Sequence, residues 1–102
     1  MRPDEILYNC LIDACVRFRD VNRAVAVFHQ MSIEGVRPSA VTYGILIKAY
    51  GQNNQLDNAF KSFHQMKNLG LVPNSVTYGC LIDACVKNSQ IDKALSVFHS
   101  ME

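Results

Sequence analysis

The stretch V-T-Y-G-I-L-I-K-A-Y at residues 41–50 opens the segment that decides the fold of this chain. After a polar break, the segment continues as L-D-N-A-F-K-S-F-H-Q-M-K at residues 56–67 and closes as L-G-L-V-P-N at residues 69–74. Apolar residues in both halves recur three and four positions apart, which is the spacing of one helix face. Glycine and proline near the end stop a helix. The segment therefore predicts a helix, a turn, a second helix and a short loop.

The same text recurs on both sides of this segment with a period of 35 residues. A fixed period in this range is typical of stacked repeats. We therefore predict an all-α fold, a right-handed α-solenoid of stacked helix–turn–helix repeats. The residues that keep the interval are Tyr8, Tyr43 and Tyr78; Ala24, Ala59 and Ala94; Phe28, Phe63 and Phe98; His29, His64 and His99; Met31, Met66 and Met101; and Pro3, Pro38 and Pro73.

A single array of repeats is predicted to occupy residues 1–102. We place the repeats at about 5–39, 40–74 and 75–102, with the last one truncated, and interpret residues 1–4 as the tail of an upstream repeat. Solenoids need polar terminal repeats to cover their last apolar face, and the sequence shows no such repeat. We therefore expect a segment of a longer array, whose uncovered ends self-associate.

Apolar stripes predict which face of each helix is buried. The first helices carry Tyr8, Leu11, Ile12 and Cys15; Tyr43, Leu46, Ile47 and Tyr50; and Tyr78, Leu81, Ile82 and Cys85. The second helices carry Val21, Ala24, Phe28 and Met31; Leu56, Ala59, Phe63 and Met66; and Ile91, Ala94, Phe98 and Met101. Asp4 is predicted to be the N-cap of the first helix, which we place at residues 5–17.

The charge and composition of the chain narrow the classes of function. The 102 residues carry a formal net charge of +1, which excludes a strongly basic polyelectrolyte binder. A nucleic-acid binder with its charges on one face is compatible with this value. No apolar run approaches the length that spans a bilayer, so no membrane partner is expected. Residues 1–4 do not have the composition of a transit peptide.

The spacing of the cysteines argues against a metal site. Cys10 and Cys15 recur as Cys80 and Cys85, and five positions along a helix separate two side chains by about 140°. Neither pair can share a ligand or form a disulfide, so we predict four thiols that fill the core. No acid–base pair, nucleophile triad or phosphate loop is present in the sequence. Neither an enzyme nor a cofactor is therefore expected.

Two known families of two-helix repeats are candidates for this sequence, the tetratricopeptide and the pentatricopeptide repeat. The tetratricopeptide repeat has a period of about 34, with tryptophan and Leu-Gly in its first helix, whereas this chain has no tryptophan and Leu is followed by Ile. The text V-T-Y-G-x-L-I-x-A, with L/I-D-x-A-x-x-x-F-x-x-M and G-x-x-P-N/S, resembles the pentatricopeptide repeat over the whole chain. One departure lies in the turn between the helices, where that family has glycine and this chain has Arg19, Asn54 and Ser89.

The resemblance implies binding of single-stranded RNA, with one base per repeat read by two or three side chains. By position in the motif, the apolar residues that hold the base are Ile6, Val41 and Val76. The residues that contact the base edge are Asn9, Gly44 and Gly79, and those that complete the reading are Ser39 and Asn74, with Asp4 serving an upstream repeat. The resemblance implies that Asn9–Ser39 is a pyrimidine-reading pair that favours cytosine, and that Gly44–Asn74 is a purine-reading pair that favours adenine.

Several of these residues also have a structural explanation that does not involve RNA. Ser39 and Asn74 are also good N-caps. Gly44 and Gly79 each cost up to about 1 kcal/mol in a helix, a cost explained either by the approach of a ligand or by a crowded contact between repeats. Arg17, Lys48 and Lys87 are implied contacts to the RNA backbone, and the alternative is that they stabilise helix C-termini.

The resemblance also implies a wider setting for the chain. Pentatricopeptide proteins act mostly in mitochondria and plastids, in the processing, stability, editing or translation of transcripts. Two alternatives stay open: a protein–protein scaffold of the same fold, and an arm that delivers RNA to a nuclease domain outside this segment. Because three repeats hold only a few nucleotides, we expect weak and salt-sensitive binding by this segment.

Overall fold

The computed structural model describes residues 3–101, which form six α-helices in three hairpins. The first helix of each hairpin is α1, α3 or α5, and the second is α2, α4 or α6. Their bounds are α1 Pro3–Arg17, α2 Val21–Ile33, α3 Ala40–Gln52, α4 Leu56–Asn68, α5 Ser75–Lys87 and α6 Ile91–Ser100. The all-α solenoid of stacked hairpins that the 35-residue period predicts is confirmed.

The three first helices form one continuous layer. Helix α3 lies at its centre and packs against α1 on one side and α5 on the other, as well as against its own partner α4. Within residues 3–101, the second helices pack on their hairpin partners and not closely on one another. Because the first helices lie closer together than the second helices, the stack curves with α1, α3 and α5 on its inner side.

The buried stripes of the two complete second helices agree with the sequence pattern. All four predicted residues in α2 and all four in α4 are buried. In α1 the prediction for Leu11 is wrong, because this residue is 55% exposed. Val16 is 2% exposed and packs in the core instead, one turn after Ile12. In α6, Ile91 and Phe98 are more than half exposed, since no described helix packs on their outer side.

An aromatic contact joins each repeat to the next. The ring of Phe28 in α2 meets the ring of Tyr43 in α3 edge to face, with centroids 5.4 Å apart. Phe63 and Tyr78 repeat this contact at 5.4 Å between α4 and α5. Such pairs contribute about 0.5–1.5 kcal/mol beyond the area that they bury. The phenylalanine and tyrosine that recur every 35 residues in the sequence therefore form the same contact between each pair of successive repeats.

The turns within the hairpins adopt a left-handed backbone without glycine. Arg19, Asn54 and Ser89 have φ angles of 56°, 58° and 58°. The departure from the glycine of the resembled family thus leaves the turn geometry intact, at a cost in backbone strain. The prediction that Asp4 is an N-cap is wrong, because the structure has Asp4 inside the first turn of α1. Its carboxylate there still favours the positive end of the helix.

The prediction that the four thiols fill the core is correct only for Cys85, which is fully buried. Cys10 is exposed, and Cys15 and Cys80 are partly buried. All four are free cysteines. The difference arises because Cys10 and Cys80 lie on the inner side of the first helices, whereas Cys85 faces the core between helices.

Gly51 marks the point where α3 and α5 approach backbone to backbone. A Cβ atom at this position would lie 2.6 Å from the Cβ and 2.9 Å from the Cα of Ala84. The side-chain amide of Asn88 closes the same contact, since its Nδ2 donates to the carbonyl oxygen of Gly51 at 3.2 Å and to that of Ala84 at 2.7 Å. Only glycine fits at position 51 without moving α5.

We expect Gly51→Ala to lower the free energy of unfolding by about 1–3 kcal/mol, because the added methyl group overpacks the contact with Ala84. The matched control is Gly44→Ala on the same helix, where an added Cβ meets nothing within 4 Å. This control should raise the free energy of unfolding by up to about 1 kcal/mol through helix propensity. Urea unfolding followed by circular dichroism measures both, and equal effects of the two substitutions would contradict the packing described here.

Candidate functional site

Two cavities lie one repeat apart along the inner side of the first helices. The first cavity, about 280 Å³, lies between α1 and α3 and is lined by Ile6, Asn9, Cys10, Asp13, Val41 and Ile45. The second cavity, about 230 Å³, lies between α3 and α5 and is lined by Asp13, Ala40, Val41, Gly44, Ile45, Lys48, Asn74, Val76, Thr77 and Cys80. No lining residue of either cavity comes from a second helix, so both belong to the inner layer.

Aliphatic side chains form the walls of these cavities. Ile6 and Val41 bound the first cavity, and Val41 and Val76 bound the second. All three residues are exposed. The three residues implied to hold a base are therefore spaced so that each cavity lies between two of them, with Val41 shared.

Gly44 lines the second cavity and contributes no side chain to it. Because an added Cβ at Gly44 or Gly79 would meet nothing within 4 Å, a crowded contact between repeats does not explain either glycine. That alternative is wrong for both, and the crowded glycine of α3 is Gly51. Gly79 is exposed and lines neither cavity.

Asn9 is held by a hydrogen bond from the next repeat. Its side chain is 7% exposed, and its Oδ1 accepts the hydroxyl of Thr42 at 2.6 Å. The same hydroxyl oxygen accepts the backbone N–H of Ser39 at 3.1 Å. The sequence pattern did not single out Thr42, because the two partners are separated by 33 residues and only the stacking of repeats brings them together.

Asn74 caps α5 and lines the second cavity as well. Its Oδ1 accepts the backbone N–H of Thr77 at 3.0 Å and the Thr77 hydroxyl at 3.1 Å. The capping role considered for Asn74 is thus present in the structure, and it occupies only the oxygen of the side-chain amide. Ser39 is the N-cap of α3, where its backbone N–H donates to the Thr42 hydroxyl, but it lines neither cavity. Asp4 is an exposed residue of α1.

One cation stands in the second cavity without a carboxylate partner. Lys48 lines that cavity and makes no ion pair with residues 3–101. Arg17 pairs with Asp13 at 3.1 Å and Lys87 pairs with Asp83 at 3.0 Å, each pair spanning one turn of its helix. Neither Arg17 nor Lys87 lines a cavity, so Lys48 carries the available positive charge of the inner side.

The Cys80 thiol adds a titratable group to the wall of the second cavity. Burial raises its pKa above the ordinary value, a shift that the nearby Lys48 and Lys87 ammonium groups oppose and the Asp83 carboxylate reinforces. Burial also raises the pKa of Cys85 and of the hydroxyls of Tyr43 and Tyr50. These side chains are therefore neutral at physiological pH.

Two larger cavities lie between α4 and α6 and contain none of the residues implied to contact RNA. Each has a volume of about 530 Å³, and both are lined by Asp57, Lys61 and Lys93. Over residues 3–101, no group of histidine, cysteine or acidic side chains is arranged to hold a metal ion. None of the six helices combines the length and the apolar character that crossing a bilayer requires.

Comparisons with known proteins agree on one family. The PPR repeat family matches residues 3–52, 38–87 and 73–102. The solved structure of the pentatricopeptide repeat protein PPR10 in complex with an 18-nt psaJ RNA element is 26% identical, with a TM-score of 0.90 over 98% of this chain. The structure of PPR10 from maize is 32% identical, with a TM-score of 0.80 over 98% of this chain. The chain spans 15% and 14% of the length of these two solved chains. No curated protein sequence gives a significant match.

We expect alkylation by iodoacetamide to be slower at Cys80 than at Cys10, because the thiolate is the reactive form and burial raises the pKa of Cys80. The rate at Cys80 should continue to increase as the pH rises past the ordinary value of 9.0. Mass spectrometry of peptides after timed alkylation measures both rates. Chain unfolded in urea is the control, in which the two rates should converge. Equal rates in the folded chain would show that Cys80 does not lie in a partly dehydrated cavity wall.

Proposed function

This chain belongs to the PPR repeat family, and from that membership we propose that it binds single-stranded RNA through the first and second cavities, with about one base in each. The observation that carries the proposal is the spacing of the cavities. They repeat with the solenoid, and each combines two aliphatic walls with a side-chain amide, from Asn9 or Asn74. The published complex of PPR10 with an RNA element supports the same use of the fold.

The shape of the cavities suits the planar faces of nucleobases. A base in the first cavity would lie between Ile6 and Val41, and the next base between Val41 and Val76. Stacking on an aromatic residue contributes about 1–3 kcal/mol per base, and an aliphatic wall should contribute less. Two such contacts must offset the cost of association and of ordering the RNA, so we expect weak binding.

The charges of the inner side favour a phosphate near the second cavity. Lys48 is the unpaired cation there, and the N-termini of α3 and α5 present backbone N–H groups and positive dipole ends to the same side. The Asp13 carboxylate, which lines both cavities, is compensated by Arg17. A chain with a formal net charge of only +1 can therefore attract RNA at this position.

We also propose a wider role, which is supported by family membership alone. We place the repeats in a longer protein of mitochondria or plastids that acts in the processing, stability, editing or translation of transcripts. Binding, rather than catalysis, is the activity proposed for this segment. We also propose that the bases are recognised by two residue pairs, Asn9–Ser39 and Gly44–Asn74. Gly79 and Asp4 would serve neighbouring repeats.

We expect Val41→Ala to weaken binding of short single-stranded RNA about three- to five-fold, because the substitution removes the wall shared by both cavities. Titration followed by NMR at low salt measures the affinity, with duplex RNA and a peptide library as competing ligands. Val72→Ala is the matched control, since Val72 is exposed outside both cavities. Chemical-shift changes with peptides alone would instead support a protein scaffold.

We expect Lys48→Gln to reduce the slope of log affinity against log salt by about 0.7, the value for one phosphate contact to a single strand. Lys87→Gln removes the same charge from a cation already paired with Asp83, which lines neither cavity, so it should change the slope less. Titrations at several salt concentrations measure both slopes. Equal changes would show that net charge, and not the position of Lys48, governs the attraction.

A further inference from the structure

Two buried threonine hydroxyls hold the side-chain amides of the two cavities. Thr42 is fully buried and donates its hydroxyl to Oδ1 of Asn9 at 2.6 Å. Thr77 is 1% exposed, and its hydroxyl donates to Oδ1 of Asn74 at 3.1 Å. The two threonines are equivalent positions of successive repeats, and each contacts the amide that lines a cavity.

Hydrogen-bond chemistry decides which atom of each amide faces its threonine. The Thr42 oxygen accepts the backbone N–H of Ser39 at 3.1 Å. The Ser39 hydroxyl lies farther away, at 3.4 Å, so the single proton of Thr42 goes to the closer oxygen of Asn9. The distance of 2.6 Å is typical of an O–H···O bond and shorter than an ordinary N–H···O bond. At Asn74 the backbone N–H of Thr77, 3.0 Å away, requires an acceptor, and only the carbonyl oxygen accepts. Both oxygens are therefore occupied by protein donors.

The two cavities differ in where the amide comes from. In the first cavity it belongs to Asn9 on α1, and Thr42 reaches it across the contact between repeats. In the second cavity the equivalent of Asn9 is Gly44, which has no side chain, and the hydroxyl of Thr77 turns to Asn74, the N-cap of its own helix α5. In both cases the amide keeps its Nδ2 group for a ligand, and no group of residues 3–101 accepts a hydrogen bond from either Nδ2.

We propose that Thr42 and Thr77 are positioning residues that set the polarity of base recognition, so that each cavity presents N–H donors and no acceptor from its amide. This inference rests on the proposed function. A donor fits a base whose ring nitrogen on the pairing edge is an acceptor, which is N3 of cytosine or N1 of adenine. Uracil and guanine carry an N–H there, and a donor that faces a donor leaves both unpaired. The threonines thus reject uracil in the first cavity and guanine in the second.

The test uses dinucleotides flanked by abasic sites, with C-A, U-A, C-G and U-G in both orders, titrated into the whole chain by NMR. Thr42→Val keeps the shape of the side chain and removes the hydroxyl, which frees the Asn9 amide to rotate. We expect the ratio of affinities for cytosine over uracil, about five- to tenfold in the unmodified chain, to fall towards one. The ratio for adenine over guanine should not change. Thr77→Val should lower the ratio for adenine over guanine less than Thr42→Val lowers the ratio for cytosine over uracil, because the backbone N–H of Thr77 still holds Oδ1 of Asn74. Thr42→Ser, which restores a hydroxyl, should restore discrimination.

The ratio of affinities separates positioning from folding, because a purely structural loss weakens all RNAs alike. The side-chain amide signals of Asn9 in the chain without RNA give a second readout, and we expect them to shift in Thr42→Val and to return in Thr42→Ser. If Thr42→Val binds RNA with an unchanged ratio, or loses affinity equally for all four RNAs, the positioning role is wrong while RNA binding stands. If the unmodified chain binds no single strand, the proposed function fails and this inference fails with it.

Discussion

The edge-to-face contact of one repeat's phenylalanine with the next repeat's tyrosine is the interaction on which the inner side depends. Phe28 on Tyr43 and Phe63 on Tyr78 have the same separation, 5.4 Å between ring centroids. Tyr43 is 1% exposed, and anchoring it fixes the direction of its neighbours on α3. Val41 then points to the cavities, Thr42 into the contact between repeats, and Gly44 to the floor of the second cavity. The core thus positions the surface that we propose for RNA.

Periodicity carries the prediction of the fold. The 35-residue interval specifies six helices and their pairing, because each repeat can bury its apolar stripes only against its neighbours. The pattern is ambiguous where a helix is apolar on two sides, as in α1. There Leu11 and Val16 satisfy a helical period equally well, and only the position of α3 decides that Val16 is buried. The cysteines show the same ambiguity, since a small apolar residue suits both a core and a cavity wall.

The site is predictable in its position and less so in its chemistry. The family resemblance implies that Ile6, Val41 and Val76 hold the bases, and in the structure each cavity lies between two of these residues. The hydrogen bond between Thr42 and Asn9 depends on the distance between helices, which a single sequence does not contain. Likewise Gly44 and Gly51 carry the same helix penalty in the sequence, yet one faces open space and the other faces Ala84. The ion pairs of Arg17 and Lys87 follow from i, i+4 spacing and could have been predicted.

Because Val41 forms a wall of both cavities, the number of cavities depends on the number of repeats in a simple way. A complete cavity needs an aliphatic residue from two successive repeats, so three hairpins enclose two cavities. An array of n repeats then encloses n − 1 of them, and every interior wall is common to two neighbours. Under the proposed function, a base in one cavity would contact a side chain that the adjacent cavity also uses. We therefore expect binding along the array to be cooperative between nearest neighbours, as in a one-dimensional lattice, and its free energy to differ from a simple sum over single bases.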